Sequence, residues 1–371
     1  MATRIQPYTE DRVPAVKEFN RRLRAGGVSF QFPEEHFSSR LPKLGDRTVY
    51  QEYFLAVEGD QVRGGYILKH QNFSFGGRIL PAAFYRLAIS EGAINRRYGM
   101  VALQLLRDAL QKQPRLIALG MGGIAQPIAK LLQGSGWSLY PVAFHFQAVR
   151  AFRFLRGLSY LRTRPHRRWL LDLLAMTGVG CIGLHAVQRA LRLAARRSDP
   201  AELEIAPRFD AWAEELWVAC KDHYRMIAAR DPATLNALYP EANDRYIRLK
   251  VMRKGAVVGW AVVLDTQMSG HKQFGNLRVG SIADVLARPE ESTEVVRTTS
   301  LFLRRRGVDL IVSNQCHRAW SRALRDAGFL QGPSNFILGL SPAVAELVAP
   351  ARDNVPHVHF NRGDGDGPLH L

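Results

Sequence analysis

The sequence predicts a mixed α/β protein of two domains, each a mostly antiparallel mixed sheet flanked by helices, with a helical connector rich in arginine and apolar residues between them. Three observations carry this expectation. From Tyr50 the chain alternates apolar and polar residues, and after Gly99 the spacing turns helical. A like order of strands and helices returns in the second half of the chain. A stretch of different composition, 151–200, separates the two. At 371 residues, 47% hydrophobic and 23% charged, the chain is long and apolar enough for two ordinary cores.

In the first domain, expected over 1–150, Asp11 to Ala25 has a helical pattern. Glu58-Gly59-Asp60 and Gly76-Gly77 punctuate three extended runs of an antiparallel meander between Tyr50 and Ser90. Val101, Leu105, Leu106 and Leu110 then recur on one helical face, with Arg107 and Asp108 facing outward. "RLIALGMGG" reads as a buried strand, and the run from Gln126 to Val149 as a helix, a glycine turn and a final strand pair.

The second domain, expected over 201–345, has two strands around Lys254-Gly255, a third in "FGNLRVGSIADVLA", a helix in "EESTEVVRTTSLFLRRRG", the strand "VDLIVSN" and a helix ending at Gly328. Two halves of like order suggest an internal duplication. Residues 346–371 read as a polar tail. Its Asp364 and Asp366 stand two apart as in calcium loops, but no glutamate follows at the needed distance, and no metal site is expected.

Within the connector, Trp169 to Gln188 holds no lysine or arginine, while Arg162, Arg164, Arg167 and Arg168 precede it and Arg189, Arg192, Arg196 and Arg197 follow. That core approaches the roughly 20 residues of a bilayer span. Asp172, three glycines, His185 and basic clusters on both sides argue against a span. An amphipathic helical pair packed against the domains is expected, with peripheral contact of 150–197 to an anionic membrane as the alternative.

The formal net charge is +18, and the basic residues are nine lysines against 42 arginines. Arginine favours planar, bidentate contact with phosphate or carboxylate, so the charge points to an anionic partner without naming it. Cys181, Cys220 and Cys316 form no CxxC pair and no even framework, which fits a reducing cytoplasm. The first residues carry charges throughout and lack the apolar core of a secretory signal.

"NRRYGMVA", residues 95–102, lies where a strand hands over to a helix. Backbone N–H groups at a helix start lack intrahelical partners and face the positive end of the dipole, so an anion is welcome there. Gly99 lets the backbone approach a phosphate, and Arg96 and Arg97 add full charges. At these residues the chain resembles the GNAT-superfamily N-acyltransferases, whose loop after the fourth strand follows Q/R-x-x-G-x-G/A and wraps the pyrophosphate of acyl-coenzyme A. Arg96-Arg97-Tyr98-Gly99-Met100-Val101 matches the first arginine and the central glycine, and departs at Val101. The endings "LLQGSGW" and "ALRDAGF" resemble the family's helix-Gly-aromatic segment, so the likeness covers about residues 3–150 and 203–340.

The resemblance implies acyl-coenzyme A as co-substrate, held by Ala88, Ile89, Ser90, Arg96, Arg97, Tyr98, Gly99, Met100 and Val101. It implies a carboxylate near the fourth strand to keep the amine neutral, for which Glu91 is nearest, with Tyr85 as a second candidate on the strand itself. The tyrosine expected in the last helix is Leu132 in the first half and Leu324 in the second, and neither can give a proton to the leaving thiolate. Either another group such as Tyr98 or Tyr140 serves, or solvent does, or the protein is not a working acetyltransferase. In the second half, Ala287 to Ser292 has no glycine signature, and Glu290 and Glu291 would occupy the dipole's positive end themselves. "AARDPATLNALYP" resembles a segment of the Fem-type aminoacyltransferases. His145 and His223 stand alone and read as structural.

The expected activity is N-acyl transfer, acetyl transfer first, from acyl-coenzyme A to an amine of a small molecule or cell-surface precursor. Two alternatives remain: a Fem-like enzyme drawing on aminoacyl-tRNA, which the charge favours, and a non-catalytic GNAT-like scaffold at a membrane surface.

Overall fold

The computed structural model describes residues 3–34, 41–194 and 201–365. The chain divides into two units, Met1–Pro141 with Asn335–Asp353 and Val142–Ser334 with Asn354–Leu371. In chain order the strands are β1 (Arg4–Pro7), β2 (Tyr50–Glu58), β3 (Gln61–Phe75), β4 (Arg78–Ser90), β5 (Leu116–Gly120), β6 (Ser138–Pro141), β7 (Ala143–Ala148) and β8 (Glu202–Ile205). There follow β9 (Met226–Ala228), β10 (Ile247–Arg253), β11 (Ala256–Gln267), β12 (Arg278–Ala287), β13 (Leu310–Gln315), β14 (Leu330–Gly332), β15 (Ile337–Leu340) and β16 (Val358–His359). The helices are α1 (Val13–Ala25), α2 (Val101–Lys112), α3 (Pro127–Gly134), α4 (Ala151–Gly157), α5 (Pro165–Met176) and α6 (Val179–Ala194). The later ones are α7 (Ala211–Cys220), α8 (Pro232–Leu238), α9 (Ser292–Arg305), α10 (Arg318–Asp326), α11 (Pro342–Leu347) and α12 (Ala351–Asn354).

In the first unit β2, β3 and β4 form the expected antiparallel meander. Side chains alternate across it. Tyr53, Leu55 and Ile67 face α1 with its Val16, Phe19 and Leu23, while Phe54, Tyr66 and Leu68 face α2 with its Val101, Leu105 and Leu106. Gly64 permits the close seat of α2, since a Cβ there would meet Val101 and Leu105 side chains at 3.1 Å. Asp108 does not face solvent as expected: Tyr66 Oη donates to its carboxylate, and Lys112 lies 2.6 Å away.

The sheet continues in the order β4-β5-β15-β6, so a strand from the second half of the sequence completes it. The strand pair expected from β6 and β7 does not exist. Only Val142 separates them, too short a link for the two-residue loop of a hairpin, so the chain runs on and β7 pairs with β13 and β14 in the other sheet. The cut expected at 150 therefore falls inside the second unit, and 335–345 belong to the first. Ser341 fixes the borrowed strand, its Oγ accepting from Leu116 N at 3.0 Å and donating to Pro114 O at 2.9 Å.

The second unit repeats the plan. β10, β11 and β12 are an antiparallel meander, α9 follows, and β13 returns parallel to β12 before α10. Its sheet runs β14-β7-β13-β12-β11-β10-β8, and β9 pairs in parallel with β16. The stretch foreseen as a connector belongs to this unit: Ala175, with Leu171, Cys181 and Leu184, packs on the cluster of Phe154, Leu155, Phe274 and Leu277. Arg196 and Arg197 lie outside the described residues.

Two outcomes follow. Replacing Ser341 by Ala removes two hydrogen bonds and leaves Leu116 N–H with Pro114 O at 3.2 Å alone, a loss of about 0.5–1.5 kcal/mol for each bond, visible as a lower urea midpoint. His145 on β7 is held down to about 4, first by burial and then by Arg325. The unfolded chain titrates near 6.5 and so binds more protons between those values. Its contribution to stability is complete above about pH 6.5 and is lost as the pH falls toward 4. His145→Phe gives a shallower decline of the urea midpoint over that window than the wild type.

Candidate active site

β4 and β5 are paired only at Ala83 with Leu116 and Phe84 with Ile117. Beyond these pairs β5 follows β15, and among the described residues no strand lies along the β5-facing edge of β4 from Tyr85 to Ser90. The cause is local. Ile67 faces Arg86 but Gly65 faces Ile89, so Leu87 and Ala88 together oppose Tyr66 in a bulge, with Leu87 in the left-handed region at φ 46°. The bulge bends β4 away and leaves backbone N–H and C=O groups of a strand edge to be met by something else.

Just past this edge the chain makes two short 3-10 turns, Glu91–Ala93 and Arg96–Tyr98, before α2. Asn95 Oδ1 accepts from Arg97 N at 3.1 Å and sets the second turn. Helix α2 starts without a side-chain cap and without an acidic residue in its first turn. The first-turn amides of Val101, Ala102 and Leu103 have no intrahelical acceptor by the geometry of any helix. Arg96, Arg97, Gly99 and Met100 are exposed beside them. Gly99 has an ordinary helical φ of −55°, so its value here is the open space it leaves and not a special conformation.

Glu91 occupies a different position from that expected. It is 4% exposed, and Arg22 Nε and Nη2 donate to its two oxygens at 3.0 and 3.1 Å, with Arg63 Nη1 at 2.9 Å. A carboxylate so enclosed by two guanidinium groups is engaged at both of its oxygens. Its work is to tie the loop to α1 and β3. Arg63 extends the network to Glu58 at 3.0 Å and lies 4.2 Å from the centre of the Tyr98 ring, and Tyr98 Oη donates to Glu58 at 3.0 Å. Tyr98 is thereby a wall of the loop. The reading from sequence missed Arg22, Arg63 and Glu58; the only signal for them was charge placed within otherwise alternating or helical runs.

Tyr85 is 5% exposed, packs on Tyr66 with ring centres 5.5 Å apart, and its hydroxyl finds no hydrogen-bond partner among the described residues. Burial, helped by Asp108, raises its pKa well above the usual phenol value, so it stays protonated. Ala88 packs toward α2 and Ile89 toward α1, and Ser90 closes the strand. Leu132 is fully buried in the α2-side core, and Tyr140 pairs with Leu338 between the sheet strands.

The second unit has the same parting and fills it. β12 and β13 pair at Val279, Gly280 and Ser281 with Leu310, Ile311 and Val312, and then separate. Residues 360–364 lie between them. Gly363 N donates to Ala283 O at 2.6 Å on one side, and Cys316 N donates to Phe360 O at 3.0 Å on the other. Arg230, 1% exposed, locks the insert: its Nη2 donates to Asp284 at 3.1 Å and to Asp364 at 2.9 and 3.0 Å, while Tyr239 Oη and Asn361 Nδ2 donate to Asp284. The expected polar tail is thus core structure up to Asp364, which is 3% exposed; Asp366 lies outside the described residues. Arg253 pairs with Glu291 at the start of α9.

No protein-family model matches the sequence, and no curated protein matches it. Solved structures do match in fold. A GCN5-related N-acetyltransferase from Anabaena variabilis superposes with a TM-score of 0.53 at 11% identity, over 91% of this chain and 72% of that one. A probable N-acyltransferase from Enterococcus faecalis gives 0.52 at 8% identity, over 94% and 75%. The N-myristoyltransferase of Saccharomyces cerevisiae, solved with bound myristoyl-CoA, gives 0.52 at 10% identity, over 92% and 78%. The chain therefore has the fold of the GNAT N-acyltransferases, with the meander, helix and parallel strand of that fold present in both units.

Replacing Asp364 by Ala strips one carboxylate from a guanidinium that cannot reach water. Breaking a buried pair in this way costs about 3–5 kcal/mol. A lowered urea midpoint for Asp364→Ala, partly restored in Asp364→Asn, is the expected result.

Proposed function

We propose that the first unit binds an acyl-coenzyme A thioester and transfers its acyl group to an amine. The observation that carries this reading is the parting of β4 from β5 after two residue pairs, beside a helix start free of carboxylates. A pantetheine arm is a chain of amides, so it can run along Tyr85–Ser90 where a strand is missing and satisfy that backbone edge. The diphosphate then reaches the amides of Val101, Ala102 and Leu103, and Arg96 and Arg97 supply charge-assisted bonds of about 1.5–3 kcal/mol each. The exposed backbone at Gly99 and Met100 allows the approach.

In this reading a β4 backbone N–H polarises the thioester carbonyl, and the neutral amine attacks it. The C–N bond forms and the C–S bond breaks. The thiolate takes a proton and the new ammonium loses one to water, so the balance closes. Tyr85, on β4 where the strands part and with its buried hydroxyl unpaired, is the proton donor we assign to the thiolate in place of the residue that Leu132 replaces, and it recovers its proton from the water that took the ammonium's. Glu91 holds the loop. The acceptor is a small-molecule amine or cell-surface precursor, acetyl-coenzyme A is the simplest donor, and three free thiols fit a reaction in the cytoplasm. A second reading, a GNAT-like binding protein without turnover, draws support from the closed ion pairs of Glu91 and from Leu132.

Calorimetric titration tests the first point. Acetyl-coenzyme A, or a longer acyl thioester, binds the wild type, and Gly99→Glu weakens binding by about tenfold or more through a like charge at the diphosphate. An added Cβ at Gly99 meets only Arg96 O, at 3.2 Å, so the variant keeps its melting temperature. No heat with any thioester would sink the proposal. Binding without thiol release over a panel of amines would select the non-catalytic reading, and thiol release slowed in Tyr85→Phe with unchanged affinity would support the assignment of Tyr85.

A further inference from the structure

Helices α5 and α6 present one apolar face inward and a second one outward. Leu171, Ala175, Cys181 and Leu184 pack on the second unit's core. On the other side Trp169 is 68% exposed, Leu173 43%, Met176 76%, Val179 62%, Ile182 71% and Val187 51%. Ten of the eighteen large hydrophobic side chains that are exposed among the described residues fall between Phe152 and Leu193. Single exposed hydrophobics are ordinary, but a concentration of this kind along two consecutive helices marks a contact surface.

The chemistry of the rim selects the partner. Arg164, His166, Arg167 and Arg168 are exposed at the start of α5, and Arg189 is exposed on α6. The one carboxylate of the helix pair, Asp172, is neutralised within the chain, with Arg162 donating to both its oxygens at 2.8 Å. Arg162 and Arg156 hold that carboxyl below the usual range, so it brings no titrating group to the outer face. No single helix among the described residues is long and apolar enough to cross a membrane, and the two helices meet at a bend of 76°. An apolar face with a tryptophan at its edge, cationic flanks and no spanning length suits a helix pair lying in the plane of a bilayer. A protein partner would be expected to match the apolar face without needing a fringe of cations.

We propose that the outer face of α5 and α6 docks on an anionic lipid bilayer, the apolar side chains entering the headgroup region and the arginines meeting lipid phosphates. The proposal stands independently of acyl transfer. Each basic side chain near such a surface contributes about 1 kcal/mol, so binding depends on lipid charge and on salt.

Flotation of the full chain with vesicles tests it. Wild-type protein floats with phosphatidylcholine vesicles containing phosphatidylglycerol, stays at the bottom with phosphatidylcholine alone, and is released by raised salt. Met176→Glu with Ile182→Glu, both at exposed positions, lowers the floated fraction by about tenfold without changing the circular dichroism spectrum. Arg164→Ala with Arg167→Ala lowers it on anionic vesicles and reduces its dependence on salt. Failure of the wild type to float would overturn the proposal, as would flotation undiminished in the glutamate variant. A dimer in sedimentation that Ile182→Glu converts to monomer would also overturn it, since the face would then be an interface between copies of the chain.

Discussion

Two residue pairs, Ala83 with Leu116 and Phe84 with Ile117, are all that joins β4 to β5, and the character of the first unit depends on how short that union is. A longer ladder would satisfy the edge of β4 and leave a closed sheet. The bulge at Leu87 and Ala88 lies within the unpaired stretch and bends β4 there. Two short 3-10 turns lead from the end of β4 to α2, so an uncapped helix start follows an unpaired strand edge in the chain. One feature is an unpaired backbone edge, the other a set of unpaired helix-start amides, and the proposed acyl-coenzyme A ligand is a single group that offers partners to both.

The second unit shows what happens when that demand is met from within. Its β12 and β13 separate after three pairs, and residues 360–364 of the same chain supply the missing hydrogen bonds on both sides. Arg230 makes the insert permanent on the scale of folding, because two buried aspartates on different segments share one guanidinium. A glutamate-rich start to α9 agrees with this, since Glu291 is engaged with Arg253 and no anion is invited there. Duplication of the fold has thus kept the geometry twice and left the opening once.

Much of this plan was legible in residues. The meander from Tyr50 to Ser90, α2 and its core face, and the repeat in the second half follow from alternation, glycine turns and helical spacing. The exchange of β7 and β15 was not, because local pattern gives a strand's existence and says nothing of its partner. The link Val142 was the one available sign, a spacer too short for a hairpin. In the site, the arginines and glycine of 96–99 were found by motif, whereas Arg22 and Arg63, distant in sequence from Glu91, could be joined to it only by the fold.

Glu91 illustrates how the fold sets the surroundings of a residue that sequence position alone singles out. A carboxylate just past a fourth strand is well placed by sequence, but the fold decides what surrounds its oxygens. Here three guanidinium N–H groups do so, and α1 and β3 both contribute them. The ion pairs also neutralise a negative charge on the loop, with Arg63 passing the constraint on to Glu58 and the Tyr98 ring. The loop is therefore held rigid from its buried side while Arg96, Arg97 and Gly99 remain exposed. Preorganisation of that kind is what would lower the entropy cost of the proposed binding.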